Sequence, residues 1–174
     1  SRNFMCTKTD PVVETKAGKL RGFQLDGTYA FHGVKYADAK RFHQPTPVEP
    51  WEGIKNALAY GYVCPMLQQD QPSNELMVPH RYWPLDENCQ YLNIWTQHLD
   101  PNAKKPVLVW LHGGGFAAGS SIEHIAYEGE NMSKYGDVVV ISLNHRLNIL
   151  GYLDLSPFGE EYKNSGNAGN ADMV

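Results

Sequence analysis

The stretch from Pro106 to Gly119, PVLVWLHGGGFAAG, constrains this chain more than any other: an apolar run leads straight into three consecutive glycines. Val107 to Leu111 has the unbroken apolar, β-branched character of a central strand covered on both faces. Gly113, Gly114 and Gly115 then carry no Cβ, so the backbone takes positive φ at no steric cost and another group approaches it closely. Two adjacent amides aimed at one point form a fixed dipole trap, which acyl transfer needs for the oxyanion of its tetrahedral intermediate. The same glycines also make a plain tight turn, and by themselves they do not choose between the two.

Two phosphate-binding patterns overlap the run. Gly114 to Gly119 has the glycine spacing of a P-loop, but Ser120 stands where the Lys belongs, so no cation reaches the β/γ-phosphates. Gly113 to Ala118 also satisfies the G-x-G-x-x-A dinucleotide pattern after a strand. The next buried strand, Val138 to Leu143, ends in Asn144-His145-Arg146 with no acid to hold a ribose. An Arg there suits a 2′-phosphate, which leaves NADP binding as an alternative.

At 174 residues and 42% apolar content the chain is long enough for one domain with a real core and reads as soluble and globular. Its net charge of −4 comes from 15 basic and 19 acidic residues mixed along the chain. That mixture offers no basic stripe for nucleic acid and no polybasic membrane patch. Every apolar run is strand-sized, so no membrane span is expected. The chain begins at Ser1 with no leader pattern ahead of its first strand, which fits a leader already removed, one that never existed, or a boundary cut from a longer chain. Among the seven histidines, His32, His43, His80, His98, His112, His124 and His145, no pair has the H-E-x-x-H spacing, and neither metal nor cofactor is expected.

The three cysteines are an odd count. Cys64 and Cys89 bracket a polar, Pro-containing segment that a bridge would clamp; two buried thiols fit the spacing equally. A bridge implies an oxidising compartment, its absence the cytoplasm. Cys6 is left free or partnered elsewhere. Asn131-Met132-Ser133 is a lone glycosylation sequon, of which a chain this rich in Asn contains about one by chance.

Along the chain, Val12 to Thr15, Lys19 to Gln24 and Tyr29 to Tyr36 read as short strands joined by turns at Lys16-Ala17-Gly18 and Asp26-Gly27. Asp38 to Pro50 is irregular and rich in proline, and Pro65 to Leu85 is polar and loop-like, with helical character around Asn74 to Val78. Tyr91 to Thr96 is a strand, Asp100-Pro101-Asn102 a turn, and a short helix lies between Ile122 and Tyr135. Strand, crossover and buried strand make a right-handed parallel unit the economical topology. Ala171 to Val174 reads as the first turn of a helix capped by Asn170. Two parallel strands alone leave both sheet edges unpaired, so the chain is expected to be the N-terminal part of a longer fold.

The order of several motifs resembles one family. Gly18-Lys19-Leu20-Arg21-Gly22, Phe31 to Ala37, Arg41-Phe42, Trp51-Glu52-Gly53, Tyr60-Gly61, Cys64-Pro65, Glu87 to Trp95, Val109 to Phe116, Val138 to Gly151 and Gly166-Asn167-Ala168-Gly169 with Asp172 are similar to the first third of the type-B carboxylesterase and cholinesterase-like α/β-hydrolases. The resemblance implies an α/β fold: small antiparallel N-terminal strands leading into a mixed, mostly parallel central sheet, with residues 1–174 the N-terminal fragment of one domain. It implies that Gly114 and Gly115 supply two oxyanion-hole amides and that Cys64 and Cys89 form the disulfide closing the loop at one wall of the active-site gorge. Arg41 with Glu87 and Arg146 with Asp172 are then two internal, structural ion pairs. Tyr82 and Trp83 are candidates for the gorge rim, although ordinary packing accounts for either alone.

The chain also departs from the family. The usual acidic-Asp-Cys-Leu reads Glu87-Asn88-Cys89-Gln90, and the proline-rich insertion before Arg41-Phe42 shortens to Asp38-Ala39-Lys40. No G-x-S-x-G elbow is present, and Ser120, Ser121 and Ser165 lack its flanking glycines. The family order Ser, acid, His therefore places the triad beyond Val174, and His112 reads as part of the turn rather than a general base. The expected activity is hydrolysis of a small-molecule carboxylic ester by the chain together with its C-terminal remainder. The alternative is a non-catalytic adhesion or binding member, since the fold supports both.

Overall fold

A computed structural model of the chain describes residues 2–66 and 83–174. In chain order the strands are β1 (Phe4–Met5), β2 (Val12–Glu14), β3 (Lys19–Arg21), β4 (Phe23–Leu25), β5 (Thr28–Lys35), β6 (Ile54–Asn56), β7 (Tyr91–Thr96), β8 (Val107–Leu111) and β9 (Val139–Leu143). Helices α1 (Glu130–Gly136), α2 (Asn148–Tyr152) and α3 (Ala168–Ala171) are short. The helical character expected around Asn74 to Val78 lies outside the described residues. Among those residues, no helix is long and apolar enough to cross a membrane.

The strands form two sheets. The small one has the order β2-β3-β6 and the large one β1-β4-β5-β7-β9-β8. Lys19 to Gln24, expected as one strand, is divided between them at Gly22. A Cβ on Gly22 would lie 2.3 Å from the carbonyl oxygen of Ala30 and 2.8 Å from the Phe31 ring, so only glycine lets the chain cross here against β5. Asp26 and Gly27, both at positive φ, then make the tight two-residue turn between β4 and β5.

The central sheet is mixed. In this sheet the pairings β1/β4, β4/β5, β5/β7 and β7/β9 are antiparallel and β8/β9 is parallel; in the small sheet β3/β6 is parallel as well. The parallel majority is therefore not reached within this stretch. A parallel pair requires a long crossover, and residues 112–138 with α1 supply it, whereas β4 and β5 are joined by a tight turn. Two rows of side chains cross the sheet in register. Ala30, Trp95 and Val140 stand opposite one another and form one buried cluster, joined by Phe23 and Val138. Phe31 and Ile94 belong to a second cluster with Leu20 and Ala57. Alternation with period two along β5 and β7 puts neighbouring residues on opposite faces.

Strand β8 departs from expectation. Val107 to Leu111 lies at the sheet edge, and its five residues are 41–58% exposed. The apolar pattern reports the surroundings these side chains favour, but within the described residues the strand has a neighbour on one side only. Helix α3 also begins earlier than expected, at Ala168 with Asn167 in the cap position. The sequon lies in α1, where Ser133 is fully buried and accepts a hydrogen bond from Gln97.

Strand β5 carries a register shift between Phe31 and Val34. Gly33 sits there at φ +66°, and a Cβ would lie 2.2 Å from the Ala59 carbonyl oxygen. Replacing Gly33 by Ala is expected to cost about 1–3 kcal/mol through backbone strain, with the overlap adding to it. Gly136→Ala, at the end of α1 where a Cβ makes ordinary contact at 3.6 Å, is expected to leave stability nearly unchanged. Urea unfolding of the two variants measures the contrast.

Candidate active site

The glycine run continues from β8 into a tight turn. Gly114 and Gly115 take φ of +135° and +61°, and Phe116 follows at +63°. A Cβ on Gly114 would lie 1.8 Å from the Ala118 carbonyl oxygen. The turn is closed by Ala117 and Ala118, whose amides donate to the Gly114 carbonyl at 3.1 and 3.2 Å. Left-handed backbone is unfavourable for Phe116, but its carbonyl is held by the Asn148 amide at 2.7 Å. Among the described residues, the amides of Gly114 and Gly115 have no acceptor. They border a cleft of about 230 Å³ whose walls include His145, Leu147 and Met173. What the arrangement offers chemically is a pair of backbone donors, unclaimed by the turn, on a cleft wall.

A buried ion pair stands behind the cleft. Arg146 and Asp172 are 2% and 4% exposed and meet through two side-chain bonds, from Nε to Oδ2 at 3.0 Å and from the second terminal nitrogen to Oδ1 at 2.8 Å. The remaining guanidinium protons reach the carbonyls of His43 at 2.6 Å, Lys40 at 3.4 Å and Ala168 at 3.5 Å. All five donors of the guanidinium are thus occupied. The NADP alternative loses its support here, because an Arg146 so engaged presents no donor to a 2′-phosphate. Asp172 also accepts from the Arg146 amide at 2.9 Å and from Gln90 at 3.4 Å.

Arg41 and Glu87 pair as well, through Nε at 3.0 Å and a second, shorter bond, but their side chains are 61% and 39% exposed. The expectation of two internal pairs is corrected on this point. The Arg41–Glu87 pair bridges surface segments, and water screens it.

Cys64 and Cys89 form a disulfide and are 1% and 0% exposed, packed with Leu147 and Met66. Cys6 is a free thiol. The bridge ties the residue two before β7 to the segment at Cys64 to Met66, and the Met66 sulfur accepts from the Gly119 amide at 3.4 Å. Tyr82 lies outside the described residues. Trp83 is 41% exposed and packs edge-on against Tyr60, 5.7 Å between centroids.

Three features of the site were not singled out from the sequence. Tyr36 donates from its hydroxyl to the Asn144 carbonyl, and burial pushes that phenol far above its usual range. Gln90 is fully buried against Asp172, with its Oε1 unpartnered among the described residues. Its polarity in place of the family's Leu was the available signal. The imidazoles of His112 and His145 stack 4.9 Å apart with planes 12° from parallel. Burial lowers the pKa of both below the ordinary His value; for His112 the neighbouring His145 adds to the effect, while each ring's contact with a backbone carbonyl opposes it.

The model of the carboxylesterase family matches residues 9–174. The para-nitrobenzyl esterase of Bacillus subtilis (strain 168) is 37% identical over 171 residues, which are 95% of this chain and 33% of that protein. The phenmedipham hydrolase of Pseudarthrobacter oxydans is 40% identical over 150 residues, 83% of this chain and 30% of its own length. Among solved structures, an esterase from anaerobic Clostridium hathewayi that can hydrolyse aliphatic aromatic polyesters is 65% identical, with a TM-score of 0.95, and matches 99% of this chain and 34% of that one. The Geobacillus stearothermophilus carboxylesterase EST55 is 39% identical, with a TM-score of 0.77 over 93% of this chain and 32% of its own. The chain therefore spans about a third of the length of these relatives.

The two ion pairs are expected to respond differently to mutation. Arg146→Met strands a buried Asp172 carboxylate and should lower the unfolding free energy by about 3–5 kcal/mol, whereas Arg41→Met should barely move the denaturation midpoint. The buried histidines contribute to the pH dependence of stability on the acid side. Their folded pKa values lie below the unfolded value of about 6.5, so between the two the unfolded chain binds more protons. Their contribution is complete above about pH 6.5 and is lost as pH falls through the folded values. Thermal melts from pH 7.5 to 4.5 should show that decline, and the double variant His112→Gln, His145→Gln should flatten it.

Proposed function

Because the chain belongs to the carboxylesterase family, we propose that it is the N-terminal part of a protein that hydrolyses carboxylic esters through a serine acyl-enzyme. The observation that carries this reading is the turn at Gly114 and Gly115, with its unclaimed amides on the wall of a cleft. In the proposed reaction a serine hydroxyl from the C-terminal remainder attacks the ester carbonyl carbon, and a histidine, also from the remainder, takes the proton. The oxyanion that forms accepts hydrogen bonds from the Gly114 and Gly115 amides and from the amide after the nucleophile. Collapse of the intermediate expels the alcohol, and water releases the acid in a second cycle of the same steps.

Two further observations support this division of labour. The sequence holds no G-x-S-x-G elbow. Among the described residues the apolar β8 strand lies at the sheet edge beside the turn, a surface on which the remainder could continue the sheet. In this reading the Cys64–Cys89 disulfide, with Met66 beside it, backs the turn at Gly119 and Leu147, and the Arg146–Asp172 pair is structural.

The full-length protein is expected to turn over p-nitrophenyl acetate and the 174-residue chain is not. Aliphatic aromatic polyester, hydrolysed by the Clostridium hathewayi esterase, is the second substrate to assay. Gly114→Ala should lower kcat by about 10²-fold or more, because the added Cβ forces the turn to reshape around its donors. Turnover by the short chain would overturn the absent triad, and an unchanged kcat in Gly114→Ala would overturn the oxyanion assignment. No turnover by the full-length protein would favour the binding-protein alternative.

A further inference from the structure

Aiming an oxyanion donor is a matter of peptide planes. The carbonyl of Gly113 and the N–H of Gly114 belong to one planar unit, so whatever grips the Gly113 oxygen also aims the Gly114 amide. The grip is the His112 ring, whose Nδ1 lies 2.9 Å from Gly113 O. A carbonyl oxygen only accepts, so Nδ1 of His112 carries the proton. Opposite it, Gly119 leaves no slack: a Cβ there would come within 2.4 Å of Gly113 O and 2.8 Å of His112 Nδ1.

A ring that bonds only to the next residue's carbonyl still turns about its own bond unless its plane is held. His145 lies flat against it, centroids 4.9 Å apart and planes 12° from parallel. His145 is itself fixed. It is 4% exposed, its Nδ1 donates to the Arg146 carbonyl at 3.1 Å, and Arg146 is locked to Asp172. The direction of the Gly114 amide thus traces back through two stacked rings to the buried ion pair.

We propose that His145 is a positioning residue for the oxyanion turn, holding through the stacked His112 ring the peptide plane that aims the Gly114 amide. This rests on the ester-hydrolysis reading and adds a residue to it. The role rests on a flat ring buried at position 145; the Nδ1 bond to the Arg146 carbonyl helps to hold that ring, and no proton transfer is required of it, which separates the role from a part in the chemistry.

The test uses the full-length protein with His145→Leu, which fills the volume without a ring, and His145→Phe, which keeps the ring. For p-nitrophenyl acetate, His145→Leu is expected to lower kcat by about 10- to 100-fold with KM within about twofold of wild type. Its affinity for a trifluoromethyl ketone transition-state analogue should fall by the same factor as kcat, and His145→Phe should recover most of both. An unchanged kcat in His145→Leu, or an equal loss in His145→Phe, would overturn the proposal. Should His145→Leu fail to fold, His145→Asn takes its place with the same expectations. If the wild-type protein hydrolyses no ester, the functional reading falls, and crystal structures of the variants still judge the positioning. A Gly113–Gly114 plane rotated in His145→Leu and restored in His145→Phe supports it, and a plane that stays put in both overturns it.

Discussion

The buried pair of Arg146 and Asp172 is the interaction on which the cleft side of this structure depends. It joins four stretches that are remote in sequence: the loop at Lys40 to His43, the start of β7 at Gln90, the end of β9, and helix α3. A guanidinium is well suited to such a junction, because its donors lie in a rigid plane and point in fixed directions. Two protons meet one carboxylate and the other three reach backbone carbonyls. The carboxylate in turn gathers an arginine amide and a glutamine amide. A charge this deeply buried is tolerable only when its polar atoms are satisfied, and here the arrangement is nearly complete. The pair fixes relative positions more than it contributes net stability.

From that junction the order of the site propagates through the backbone on either side of Arg146. Asn144 binds the Ser121 amide and the Tyr62 carbonyl through its side chain and accepts from Tyr36 through its own carbonyl. His145 lies against His112, and the Asn148 amide holds Phe116 in an unfavourable conformation. The segment after β9 therefore works as a template for the turn after β8. Parallel pairing makes this possible, since it brings the C-terminal ends of both strands to the same side of the sheet.

Much of this was legible in the sequence, and the reasons differ by element. Val107 to Leu111 was bounded correctly because an unbroken β-forming run lies between Pro106 and the glycines, and Tyr91 to Thr96 because aromatic and β-branched residues outweigh Asn93 within it. Residues 19–24 look equally continuous, yet Gly22 divides them, because the division answers to the backbone of β5 and leaves no mark in the local pattern. The same applies to β8, whose apolar residues gave its preferred surroundings but not its place at the edge. The exposed Arg41–Glu87 pair shows a related limit, since motif likeness identifies partners and says nothing of how deeply they lie. The stacked histidines sit in two motifs more than thirty residues apart, so no local signal linked them.

By itself the sequence determined the chemistry available: a run of glycines after a strand, two cysteines able to pair, charged residues at the family's ion-pair positions, and no nucleophile elbow. These are local properties, set by which residues lack a Cβ, carry a charge or follow one another. Only the tertiary structure decided which charge is buried, which ring lies on which, and where the two amides face. Those facts depend on contacts between segments far apart in the chain, and the energy of each contact exists only once the sheet has brought its partners together.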